Sequence, residues 1–191
     1  TAVRVSEQLP AGRAAVLAYG RDFPDALSIA PHAARQGMRI FLTDGQKLDP
    51  ASFQLLAQYQ RIYLIGGTSV ISKEVERQLV NQGLQVTRLG GANRYDTAVR
   101  IAEQLGNGAS QVMLASGQKF ADALTGSLLA AQKNISLLLT RQDRIVPELV
   151  QFNGRYQPKS YLIVGGEQAV SEAVVRSLKG IDGTVKIFID P

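Results

Sequence analysis

Apolar residues along this chain follow two rhythms. Short, nearly continuous apolar runs occur at Ala14–Tyr19, Arg39–Thr43, Arg61–Ile65 and Leu84–Leu89, and again at Gln111–Ser116, Ser136–Thr140, Ser160–Val164 and Thr184–Ile189. Runs of this length, many closed by glycine, read as strands covered on both faces. Between them the apolar positions recur with helical spacing. Ala98, Ile101, Ala102 and Leu105 form one stripe, with Asp96 placed to cap its first turn, and Ala2, Val5 and Leu9 form another. Pro10 and Gly12 close one of these helices, and Gly106 and Gly108 the other. Further helices are expected at Ala26–Gln36, from Asp49-Pro50, at Lys73–Asn81, at Ala123–Lys133, from Val146-Pro147 and at Glu172–Leu178. Strand and helix alternate with short connections, which predicts parallel sheets with right-handed crossovers.

The pattern is played twice. Thr97-Ala-Val-Arg-Ile-Ala-Glu-Gln-Leu105 repeats Thr1-Ala-Val-Arg-Val-Ser-Glu-Gln-Leu9. Gly20-Arg-Asp-Phe-Pro-Asp-Ala-Leu27 answers Gly117-Gln-Lys-Phe-Ala-Asp-Ala-Leu124, and Ile62-Tyr-Leu-Ile-Gly-Gly67 answers Tyr161-Leu-Ile-Val-Gly-Gly166. The offset drifts from 96 to 99 residues, with the slips in loops, where insertions cost little. A period near a hundred residues suits a small domain rather than a solenoid unit. The expected architecture is therefore α/β, two tandem Rossmann-like three-layer domains with mainly parallel sheets. Their expected bounds are 1–91 and 92–191, the first starting part-way into its repeat.

Composition narrows the function classes. No apolar run approaches the ~18 residues that would span a bilayer. There is no cysteine, which removes disulfides, thiolate metal sites and a cysteine nucleophile. The single histidine, His32, falls inside an expected helix and reads as structural, with Leu129 at the matching position of the second unit. A Ser-His-Asp triad would have to use it, and no serine sits in an elbow motif. The net charge is +5, from ten Lys/Arg against seven Asp/Glu in residues 1–91 and eleven against nine in 92–191. A mild, distributed positive charge favours a polyanionic partner or serves solubility alone. No basic stretch is interleaved with aromatics, so no nucleic-acid partner is expected.

Candidate chemistry gathers where open α/β sheets bind ligands, beyond the carboxyl ends of the strands. Asp25 and Asp122 follow the first strand of each unit, either as first-turn residues meeting free helix N–H groups or as ligand contacts. Gly66-Gly67 and Gly165-Gly166 follow a third strand and precede a helix, either as tight turns or as backbone donors to an anion. Arg94, entering a helix, pairs with a neighbour such as Asp96 or holds an anion. No dinucleotide or phosphate-loop fingerprint is present, and no cofactor or metal is expected.

The string Arg88-Leu-Gly-Gly-Ala-Asn-Arg-Tyr-Asp-Thr-Ala98, followed by Gly117-x-x-Phe-x-Asp-Ala-Leu124, Leu-Leu-Thr140 and Leu162-Ile-Val-Gly-Gly166, resembles the type 2 cell-wall-binding repeat. The resemblance covers essentially the whole chain, one repeat per unit. It implies a Rossmann-like, non-catalytic module of secreted Gram-positive surface proteins, located at the cell wall and fused to partners such as amidases or proteases. Such modules hold their proteins to an anionic cell-wall polymer and commonly pack in threes. Packing with a further repeat or self-association is therefore expected here. In some members a Pro-Ile-Leu-Leu stretch is linked to polymer binding. The matching positions are Ser136-Leu137-Leu138-Leu139 and Arg39-Ile40-Phe41-Leu42, both without the proline. The polymer-binding candidates are therefore Arg94, Tyr95, Arg39, Arg141, the two Gly-Gly pairs, Asp25, Asp122, Leu138 and Leu139. Two other readings compete: a wall hydrolase of the N-acetylmuramoyl-L-alanine amidase type, and a nucleotide- or sugar-binding Rossmann-like domain.

Overall fold

A computed structural model describes residues 12–106, 110–179 and 184–188. The stripe Ala2, Val5, Leu9, with Pro10, Gly108 and Ile189, lies outside them. Within them the strands β1 (Ala14–Tyr19), β2 (Arg39–Thr43), β3 (Arg61–Ile65) and β4 (Gln85–Leu89) form one parallel sheet in the order β2-β1-β3-β4. The strands β5 (Gln111–Ser116), β6 (Ser136–Thr140), β7 (Ser160–Val164) and β8 (Thr184–Phe188) form a second, β6-β5-β7-β8, with the same handed progression. Helices α1 (Pro24–Arg35), α2 (Pro50–Leu56) and α3 (Lys73–Asn81) serve the first sheet. Helices α4 (Arg94–Leu105), α5 (Phe120–Lys133), α6 (Pro147–Tyr156) and α7 (Glu172–Lys179) follow. The expected class, two Rossmann-like α/β units, is the one observed.

Each sheet is covered on both faces because its strands alternate between two cores. Leu17, Ile62 and Leu64 meet Leu56, Val75 and Leu79 of α2 and α3 on one side of the first sheet. Val16, Ala18 and Ile65 meet Ile29 and Ala33 of α1 on the other. Burying a side chain such as Ile29 or Leu64, both 0% exposed, stabilises the fold by about 2 kcal/mol each.

The two units are not independent. Helix α4 lies against the edge strand β6 and places Ala98 among Met113, Leu137 and Leu162, and Ala102 among Leu138, Leu149 and Phe152. Ile101, one turn along, belongs instead to the core of the first unit with Ile29 and Ile65. Helix α1 does the reverse: Phe23 and Leu27 pack into the core of the second sheet. The ring of Phe23 meets that of Phe120 edge-on at 5.4 Å. With α4 and α1 over it, β6 is buried along its length, which is how an edge strand is kept from pairing elsewhere.

Helix starts differ from expectation in instructive ways. Asp49 and Ser72 cap α2 and α3 as their types suggest, through Ser52 and Val75 N–H. Asp96 does not cap α4. Asn93 does, its Oδ1 accepting from Tyr95 and Asp96 N–H at 2.9 and 3.0 Å. Asp96 reaches back to Ala92 N–H at 2.9 Å and pairs with Arg100 at 2.9 Å.

His32 is wholly buried on α1, and Arg35 Nη2 donates to its Nδ1 at 3.3 Å. The same guanidinium donates to Leu105 O at the end of α4 and to Asn134 Oδ1 at 3.1 Å. The cluster thus ties α1 to α4 and to the C-cap of α5. Burial, then the Arg35 charge, pushes the imidazole down to about 4 from 6.5. A folded pKa below the unfolded one gives stability that is complete above pH 6.5 and lost as pH falls through about 4. Replacing His32 by leucine, the residue of the second unit, removes that titration. The variant should lose less stability than wild type between pH 7 and pH 4, by about 2–3 kcal/mol in denaturant melts. Parallel pH profiles would exclude this role for His32.

Candidate functional site

A strand order of β2-β1-β3-β4 reverses direction between β1 and β3, and the carboxyl ends of those strands are where such sheets bind ligands. A cleft of about 240 Å³ opens there. Its floor is Tyr19 at the end of β1 and Gly67 after β3, and one wall carries Asp22 and Asp25. The other wall belongs to the second unit, with Asn93, Arg94 and Thr97 from the first turn of α4. The site is therefore shared between the repeats.

Gly66-Gly67 and Gly90-Gly91 build this cleft by close packing of their two loops. A Cβ on Gly90 would lie 2.2 Å from the backbone of Gly66, and one on Gly67 would lie 2.7 Å from Gly91 O. Gly66 adopts φ +127°, and its N–H donates to Leu89 O at 3.0 Å. So Gly66 is not a donor to an incoming anion; the pair lets two loops touch. Gly91 N–H donates to Thr97 Oγ1 at 3.1 Å, folding the loop onto α4. Arg88 on β4 holds the same region from below, donating to Gly66 O at 2.9 Å and Ile71 O at 3.0 Å while paired with Glu76 at 2.8 Å.

Arg94 is the rivet. Its Nη2 sits 2.9 Å from Asp22 Oδ2, and its Nη1 donates to Gly117 O. Tyr95 lies over the same loop: a Cβ on Gly117 would come within 2.7 Å of its ring. Both residues are thus committed to holding the β5–α5 loop against the first unit. Asp25 points at the Gly66 turn, where a Cβ would meet its Oδ2 at 3.0 Å. Asp122 stands in the same relation to Gly165, at 2.9 Å. Burial pushes the Asp25 carboxyl up to about 6; Arg94 opposes this and Asp22 reinforces it. Two carboxylates share the cleft with one arginine that is already paired, so its lining matches hydroxyl groups better than anions.

The remaining candidates are scattered. Arg39 opens β2, at the amino end of the sheet and away from the cleft. Arg141 follows β6 and lies 3.5 Å from Asp143. Leu138 and Leu139 are 0% and 2% exposed core residues, so a bound polymer would not reach them without opening the fold. Gly165 and Gly166 form the turn after β7, and a Cβ on Gly166 would meet nothing within 4 Å. Asp22 and Asn93 belong to the site although neither is among the sequence candidates. Lys119 stands at the position of Asp22 in the second unit, and the arginine that Asp22 meets is 72 positions away. Among the described residues no group of three His, Asp or Glu side chains is placed to hold a metal.

The model of the cell wall binding domain 2 (CWB2) family matches residues 1–76 and 88–175. The chain belongs to this family. Among curated proteins it is 31% identical over 193 residues to the N-acetylmuramoyl-L-alanine amidase LytC of Bacillus subtilis, and it covers 38% of that protein. It is also 31% identical over 174 residues to the amidase enhancer of the same organism, 24% of whose length it spans. The chain thus corresponds to well under half of either relative. Among solved structures, Cwp8 from Clostridium difficile superposes with a TM-score of 0.84 at 29% identity, covering 99% of this chain and 33% of that one. Cwp6 from the same organism gives a TM-score of 0.85 at 20% identity and shares the fold, over 97% of this chain and 31% of its own. The CWB2 match identifies a binding domain. No helix among the described residues is long and apolar enough to cross a membrane.

Three exchanges test these packing and charge assignments. A Gly90→Ala exchange forces backbone atoms apart and should cost more than about 2 kcal/mol. Gly154→Ala, inside α6 where an added Cβ meets nothing, should stabilise by up to about 1 kcal/mol in the same denaturant assay. The raised folded pKa of Asp25 means its favourable contribution is complete below pH 3.8 and lost as pH rises through about 6. Asp25→Asn should therefore be more stable than wild type at pH 8, by roughly 2 kcal/mol, with the gap closing by pH 4. A gap that does not change with pH would show that Asp25 carries no buried charge.

Proposed function

We propose that this pair of CWB2 repeats is a non-catalytic anchor that holds a longer, secreted surface protein to an anionic cell-wall polymer. The inter-repeat cleft is the seat for the hydroxyl-bearing part of that polymer. One observation carries the reading: a cleft lined by Tyr19, Asp22, Asp25, Asn93 and Arg94 opens where the two repeats meet. Asp25 is half-buried in it and its carboxyl is pushed up to about 6, the kind of perturbation that concentrates at binding sites. Asp25, Asp22 and Asn93 supply acceptors and donors for sugar or polyol hydroxyls, and Tyr19 adds an aromatic surface. Arg94 and Tyr95 support the site by fixing its far wall, and Asp122 with Gly165-Gly166 marks the corresponding place in the second repeat.

The second repeat is also poised to be covered. The contact between the repeats is head-to-tail: Phe23 and Leu27 of α1 enter the second core. Their counterparts on α5, Phe120 and Leu124, are 53% and 39% exposed, and Leu128 one turn on is 63% exposed. A head-to-tail contact leaves one unused copy of its surface at the end of the row. A further repeat, or a second copy of this chain, fits that face.

Co-sedimentation with purified wall sacculi tests the anchor. Retention should require the acid-labile anionic polymer and should weaken several-fold as salt rises and the Debye length falls from about 10 Å at 0.1 M to about 3 Å at 1 M. Retention on polymer-stripped walls, or retention indifferent to salt, would exclude an electrostatic anchor.

A further inference from the structure

The positive charge of the first unit is not spread evenly in space. Arg39 opens β2, Arg13 immediately precedes β1 and Arg61 opens β3, and these three strands are neighbours. Neighbouring strands lie about 4.8 Å apart, so three guanidinium-bearing residues start within roughly 10 Å along one sheet edge. The backbone fixes the central pair. Arg13 O accepts from both Gln60 N–H and Arg61 N–H, at 3.0 and 3.3 Å, which clamps the start of β1 to the start of β3. Arg13 and Arg61 then line one hollow together with Gln60 and Gln85. Both arginines are exposed. Arg61 Nη2 donates to Gln85 Oε1 at 3.1 Å, which leaves the amide NH₂ of Gln85 as a donor beside it. Arg77, Arg88, Arg94 and Arg100 are each paired with a carboxylate. Among the described residues Arg13 and Arg61 lie in no such pair. Arg39 is engaged within the protein and contributes field rather than contact.

The second unit provides an internal comparison. Its backbone clamp is the same, with Ser110 O accepting from Lys159 and Ser160 N–H at 2.8 and 3.2 Å. Yet the positions of Arg13, Arg39 and Arg61 are held by Ser110, Ser136 and Ser160, and that of Gln85 by Thr184. Ser160 there accepts from Gln111 Nε2 at 2.8 Å. The fold requires no arginine at this edge, since the second repeat builds it with serine at these three positions and Lys159 at that of Gln60. Arg13 and Arg61, exposed and paired with no carboxylate among the described residues, are therefore available to something outside the fold.

We propose that the amino edge of the first sheet is an anion-binding patch. It takes one phosphate or carboxylate group of a polyanionic chain between Arg13 and Arg61, with the Gln60 and Gln85 amides as flanking donors. Two unpaired guanidinium forks facing one hollow match the geometry of such groups. The patch lies at the opposite end of the strands from the inter-repeat cleft, about 16 Å away for a five-residue strand. A long polymer can thus present hydroxyls to the cleft and charges to the edge, which raises avidity without a deep pocket. The proposal rests on the anchor reading for the identity of the polymer, but not for the anion chemistry.

The test uses the full chain and inorganic tripolyphosphate as the first probe, with the arginine Nε–Hε resonances followed by NMR. The Arg13 and Arg61 signals should shift first and saturate together. The R13Q/R61Q double variant, whose melting should match wild type because both sites are exposed, should bind about tenfold more weakly and with a shallower salt dependence. Introducing arginine into the second unit by Ser110→Arg with Ser160→Arg should add a second site. Shifts spread over all surface arginines, or unchanged affinity in the double variant, would overturn the patch. If tripolyphosphate binds at Arg13 and Arg61 but wall sacculi are not retained, the patch stands and the anchor reading falls. If single-stranded DNA outcompetes released wall polymer at matched charge and salt, the assignment of the partner as a wall polymer is overturned.

Discussion

Helix α4 has to satisfy two cores at once. Ala98 and Ala102 face the second sheet while Ile101 faces the first, so the helix cannot be moved by a turn without emptying one of them. Its N-terminus is fixed just as tightly, by Asn93 at the cap and by the Gly90-Gly91 loop folded onto it. Everything distinctive about the molecule follows from that double commitment. Because α4 stands where it does, Arg94 reaches both Asp22 of one repeat and the Gly117 carbonyl of the other. The cleft between β1 and β3 acquires its second wall, and β6 acquires the cover that keeps its edge from pairing. A cavity term of about 24 cal/mol per Å³ of lost core makes any slippage of this helix costly.

Fixing the units against each other also explains why the carboxylates tolerate the cleft. Asp22 is held beside Arg94, and Asp25 lies behind it against the Gly66 turn. Were the repeats free to separate, water would enter and the burial that raises Asp25 to about 6 would vanish. The protonation of Asp25 and the docking of the repeats are therefore linked quantities. At the other end of the sheet the logic inverts. There the arginines are exposed and the backbone beneath them is common to both repeats, so the charge adds little to folding and is available to a partner.

Much of this was legible in the sequence where physics acts locally. The apolar runs, five of them closed by glycine, placed seven strands to within a residue, and the repeat set the number of sheets. Helix starts were legible where a cap announces them, at Asp49-Pro50 and Ser72. They were missed by two or three residues at α1 and α5, where Phe23 and Lys119 precede the helix with no side-chain cap. The site was less legible, because its pairs are distant in the chain. Asp22 meets Arg94 72 residues away, and Arg13 shares a hollow with Arg61 only because β1 and β3 are neighbours across a crossover. The Gly-Gly pairs stood out, but glycine serves a close approach of two backbones as readily as an approach to a ligand. Only the distances to Gly90 and Gly91 distinguish the two.

The repeats also show which parts of the fold are free to change. In the first, the turn after β3 is held by Arg88, whose exposure is 15% and whose ion pair with Glu76 and bonds to Gly66 and Ile71 carbonyls lock residues 66–72. In the second, the register position of Arg88 is Ile187 and that of Glu76 is Val175. Both positions carry apolar residue types there. Exchanging both members of an ion pair for apolar residues avoids the stranded charge that removing one alone would leave. The joint exchange keeps the loop geometry, since Gly67 and Gly166 carbonyls each accept from the residues three and four positions on. It alters what lies beneath the turn: in one repeat a guanidinium committed to backbone carbonyls and Glu76, in the other a largely apolar hollow lined by Ile163, Val170 and Val175. Duplication preserved the scaffold and let the two ends of each sheet diverge.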